Sequence, residues 1–134
     1  SVFNWFRPDH APVGAIASAG LVSPEFQITN ETTYTEMVNE IHSSIGDYRS
    51  SNHPYPNTDR VRVDFRDWET LARTPSALID ELNLVLLSGQ MPADMRSELI
   101  RFIESVPATE DNGSARVYEA VFLISTSAQY AVQR

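Results

Sequence analysis

The sequence predicts an all-α fold: an irregular helical bundle of about four main helices, preceded by a long Pro/Gly-containing N-terminal arm. Three observations predict it. Apolar residues recur at spacings of three, four and seven along separate stretches, each spacing marking one face of a helix. These stretches are punctuated by hydroxyl residues or Pro at their starts and by Gly or Pro at their ends. The one alternating stretch, VRVDF at 61–65, has no second strand with which to build a sheet.

Residues 1–30 hold Pro8, Pro12, Pro24, Gly14 and Gly20, spaced so that only a turn or two of helix fits between them. This arm also carries Phe3, Trp5, Phe6, Ile16, Leu21, Val22 and Phe26, apolar area that a solvated linker would not keep. It is therefore expected to lie on the helices of 31–134 within a single domain. Ser23 precedes Pro24 and Glu25, the order of a helix cap, a first-turn proline and a charge suited to a helix N-terminus. Ser23 is thus expected to cap a short turn that carries Phe26 into the core, not to act as a nucleophile.

From Thr33 the pattern turns regular. Tyr34, Met37, Val38, Ile41 and Ile45 share one face, Thr33 and Glu36 form a capping box, and Gly46 supplies the stop. Residues 47–60 contain two prolines and many turn formers and read as a loop. VRVDF is expected to be irregular or to pair locally, followed by a short helix around Asp67–Ala72. Thr74 and Pro75 then begin a helix closed by Gly89. Its Leu78, Ile79, Leu82, Leu84, Val85, Leu86 and Leu87 surround the axis, which marks it as the central helix. Pro92 opens the next, with Met95, Leu99, Phe102, Ile103 and Val106 on one stripe and Pro107 at its end. ATEDNG is a turn. The last helix begins near Asn112 or Ser114, carries Val117, Tyr118, Val121, Phe122 and Ile124, weakens at STS, and is followed by a final turn over Ala128–Val132.

Composition narrows the function classes. With 134 residues, 42% hydrophobic and 21% charged, the chain is long enough for a real core. A net charge of −8 is the wrong sign for holding phosphates, so no nucleic acid is expected as partner. All basic residues are Arg. Without Cys there is no disulfide, thiolate nucleophile or Cys-based zinc site. No apolar run reaches the roughly 18–20 residues that span a bilayer. The first residue is Ser1 and not Met, which suits a fragment of a larger protein.

SVFNWFRPDHAP (1–12), GLVSPEFQITNETT (20–33), LIDELNLVLLSGQMPADMR (78–96) and VYEAVFLISTSAQYAVQR (117–134) together resemble the closing portion of the bacterial domain of unknown function 1800 family. There an aromatic-Arg-Pro stretch precedes a Pro-Glu-Phe motif, a Leu-rich helix ending in Gly, and a Ser-containing finish. The chain would be about the last quarter of such a protein. Ala128 departs from the family's Ser-Pro-acid-aromatic order, and 47–73 match least. The resemblance implies a helical C-terminal domain of a larger exported or envelope-associated protein. It carries over no activity and no catalytic residue.

Trp5, Arg7, Asp9 and His10 are the candidate ligand-binding residues: an aromatic surface, a planar cation, an acid and a base within six positions. Structurally, the same cluster is accounted for by an arm tied down through Arg and Asp hydrogen bonds, with Trp5 and Phe6 in a groove. His10, His42 and His53 lack the tight spacing of metal ligands, so no metal and no cofactor is expected. Glu36 and Glu40 mark a solvent face, and His42 lies at its edge. The expected function is a helical interaction or structural domain without catalytic activity of its own, packed against the rest of its parent chain or a protein partner. The alternative is a ligand-binding or hydrolase-like site around the arm cluster. Carbohydrate would be the ligand class, with Trp5 and Arg7 supplying stacking and hydrogen bonds.

Overall fold

The computed structural model describes residues 7–49, 63–108 and 112–131. In order they form α1 (Ala15–Ser18), a 3-10 turn (Pro24–Ile28), α2 (Glu31–Arg49), α3 (Arg66–Glu69), α4 (Pro75–Leu87), α5 (Ala93–Ser105), α6 (Ser114–Ser125) and α7 (Ala128–Ala131). The fold is all-α, with four long helices and no strand among the described residues. The chain divides into two compact units, residues 1–39 and 40–134, and the division falls within α2.

In the first unit α1 is a single turn whose end is built from backbone bonds. Gly20, at φ +67°, lets the Gly20 N–H reach Ala17 O and the Leu21 N–H reach Ile16 O, at 3.0 and 3.1 Å. This pair of bonds is the one that closes a helix through a left-handed glycine. The start of α2 differs from the Thr33–Glu36 box expected from the sequence. Asn30 takes the capping place: its Oδ1 accepts the Thr33 N–H at 3.0 Å, and its own N–H donates to Thr33 Oγ1 at 2.8 Å. The box is real but lies three residues upstream. Gly46 does not end the helix, which continues to Arg49. It keeps a negative φ, and a glycine stops a helix only by turning left-handed. Residues 50–62, most of the expected 47–60 loop, lie outside the described residues.

The second unit is a helical core. Ile45 from α2, Leu78, Ile79 and Leu82 from α4, Leu99 and Ile103 from α5, and Val117, Val121 and Ile124 from α6 are all buried together with Phe65 and Ala72. The i, i+4 run Met95, Leu99, Ile103 explains why α5 turns one face inward. α6 packs on α3, α4, α5 and α7, and α4 on α5, α6 and α7. The central position expected for α4 is therefore shared with α6. Leu84 and Val85 show why: they are 64% and 54% exposed, so α4 is not enclosed on every side.

Before α3, Phe65 is buried and stacks on Trp68, with ring centroids 5.4 Å apart. α3 itself falls where a short helix is expected. Thr74 and Pro75 sit at the cap and first positions of α4, but the Thr74 hydroxyl makes no capping bond. At the other end, Ser88 (φ +53°) and Gly89 (φ +78°) turn left-handed, and the Gly89 N–H donates to Asn83 O at 2.9 Å. The Asn83 side chain then accepts the Met91 N–H at 2.9 Å, fixing the chain on its way into α5. Ser127 bridges the last break: its hydroxyl donates to Ile124 O at 2.7 Å and accepts the Tyr130 N–H at 3.2 Å, ending α6 and starting α7.

A bidentate ion pair links α4 to α5: Arg96 donates to both Asp80 carboxylate oxygens, at 2.6 and 2.8 Å. The hydrogen bond from Arg96 holds the Asp80 carboxyl below its ordinary pKa, and the same bond raises that of Arg96. A lowered folded-state pKa gives stability that is complete above the unfolded aspartate value of about 3.9 and is lost as pH falls through the folded value. Exposure of both partners keeps the contribution small. In urea titrations, Asp80→Asn is expected to lower the unfolding midpoint at pH 7, and the gap to the parent is expected to close below about pH 4. A gap that does not change between pH 2 and pH 7 would contradict this role for the pair.

Candidate functional site

The four arm residues singled out in the sequence are brought into view only in part, since Trp5 lies outside the described residues. Arg7, Pro8, Asp9 and His10 form a tight turn closed by the His10 N–H on Arg7 O at 3.1 Å. This turn lies beside the 3-10 turn at 24–28. The Ser23 N–H donates to His10 O at 2.7 Å. Gln27 holds the other end as a second backbone would: its Oε1 accepts the Arg7 N–H at 3.1 Å and its amide nitrogen donates to Arg7 O at 3.2 Å. The same nitrogen also donates to Pro24 O at 2.9 Å.

The arm is therefore tied through the peptide groups of Arg7 and His10, not through Arg7 and Asp9 side chains as the sequence suggests. Among the described residues no hydrogen bond joins the Arg7, Asp9 and His10 side chains to one another. Arg7 and Asp9 are exposed, and His10 is half-buried. A planar cation and a carboxylate held on a fixed turn beside an imidazole can offer hydrogen bonds to a polar ligand. Gln27, which organises this place, was not legible from the sequence. A glutamine in a short turn has no composition signal, and its partner lies 20 positions away.

Ser23 occupies the capping position expected of it, with Pro24 first in the turn, yet its hydroxyl makes no capping bond. It is only 8% exposed. The turn is instead closed by backbone, with the Phe26 N–H on Ser23 O at 3.1 Å. That bond is the first of the 3-10 turn itself, so the expected cap by the Ser23 side chain is not made. Phe26 is half-buried and is not among the residues of the hydrophobic core, where the sequence reading places it.

His42, expected at a solvated helix edge, is exposed but not idle. Its ring meets Tyr118 and Phe122 edge-on, with centroids at 5.9 and 5.7 Å, while those two rings lie parallel on α6. Edge-to-face contacts of this kind are favourable and help seat the C-terminal part of α2. His53 lies outside the described residues. Glu36 and Glu40 are both exposed. Among the described residues no three His, Asp or Glu side chains gather as a metal site would require, and no helix is long and apolar enough to cross a membrane.

No family model, curated protein or solved structure matches the chain.

Among the described residues the Ser23 hydroxyl has no hydrogen-bond partner, and because an unpaired buried hydroxyl costs free energy, an apolar replacement of the same size is neutral or favourable. Ser23→Ala is therefore expected to leave the local stability of the 3-10 turn within about 0.5 kcal/mol of the parent or to raise it. Amide exchange of the Phe26 and Thr29 N–H groups measures this directly. A loss above about 1 kcal/mol would show that the hydroxyl caps the turn after all.

Proposed function

We propose that the chain is a helical interaction or structural domain, without catalytic chemistry of its own, that packs against the rest of a larger parent protein or a protein partner. The observation that carries this is the outer face of α4. One side of that helix fills the core with Leu78, Ile79 and Leu82, while Leu84 and Val85 spend large apolar side chains on solvent. Adjacent exposed apolar residues on a regular helix suit the centre of a protein contact, which is depleted of charge and rimmed by polar groups. Asp80 and Glu81, one turn earlier, supply such a rim. The stretches that resemble the domain of unknown function 1800 family support a parent that is bacterial and exported or envelope-associated.

With a photo-crosslinking residue at Leu84, in the cells that make the protein, one discrete adduct is expected, either to a single polypeptide or to another part of the same chain. Val85→Glu should remove it. Background labelling equal to that from the exposed Asp94 position would overturn the proposal.

The second function we propose is ligand binding at the arm, with Arg7, Asp9 and His10, together with Trp5, facing a carbohydrate. What favours it is the turn at 7–10, whose backbone is fixed by Gln27 and Ser23 while the Arg7 and Asp9 side chains remain exposed. Titration with neutral oligosaccharides, followed by amide NMR, is expected to shift the signals of residues 7–10 saturably and to lose that response in Arg7→Ala. Shifts that are absent, or that persist unchanged in the variant, would remove this site.

A further inference from the structure

We draw no further inference here: the strongest candidate, the apolar side chains that the first unit leaves exposed around its 3-10 turn and along α2, Val22, Ile28, Tyr34 and Met37, is a surface patch for which nothing in the structure shows what covers it.

Discussion

The second unit depends on one guanidinium. Arg116, in the first turn of α6, donates through Nε to Val106 O at 2.7 Å, through Nη1 to Ala72 O at 2.9 Å and through Nη2 to Glu104 O at 3.3 Å. Two of these carbonyls belong to the end of α5, where helix geometry leaves acceptors unpaired, and the third ends the turn that follows α3. A cation at a helix C-terminus also meets the negative end of its dipole. Two segments distant from each other in sequence thus converge on one half-buried side chain of α6, and only the five-donor fork of arginine can serve their three carbonyls together.

The backbone around this fork is built to let the segments approach. Gly113 precedes α6 at φ +88°, and a Cβ placed there would sit 2.5 Å from the Cβ of Ala72. Ala72 is fully buried. The small residue and the missing side chain bring the α3 turn against the start of α6, which is what places Ala72 O within reach of Arg116. With those ends fixed, Val117, Val121 and Ile124 descend along α6 into the layer formed by Leu78, Leu82 and Ile103. The outer side of α4 then faces away, and the exposure of Leu84 and Val85 follows from the same packing.

Much of this architecture was legible because its local signals agree. The 3.6-residue stripes of α5 and α6, Pro75 and Pro92 near helix starts, and Gly89 after α4 each encode their own element, and each lies where the pattern puts it. What was hidden depends on contacts distant in sequence. An arginine at the start of a helix runs against the helix dipole and reads as a surface residue; only the arrival of the α5 terminus gives it a purpose. The arm shows the same limit. Arg7, Asp9 and His10 stand out by composition, whereas Gln27, which holds their backbone, does not. Residue type also misled at hydroxyls: Ser23 and Thr74 occupy cap positions without making cap bonds, while Asn30 and Ser127 make them. Position along a helix is written in the pattern, but whether a side chain completes a bond is decided by the backbone geometry around it.

The functional proposal rests on this frame, because the outer face of α4 can present a fixed surface only if the helices beneath it are held in place. The most direct test of the frame is equilibrium unfolding of Arg116→Met, which keeps the length and the apolar stem and removes all three donors. A loss of roughly 2–4 kcal/mol is expected, since the part-buried bonds to Val106 O and Ala72 O lose their charged donor. Faster amide exchange should accompany it at the end of α5. Stability within about 0.5 kcal/mol of the parent, with unchanged exchange, would contradict the claim that this guanidinium joins the helices.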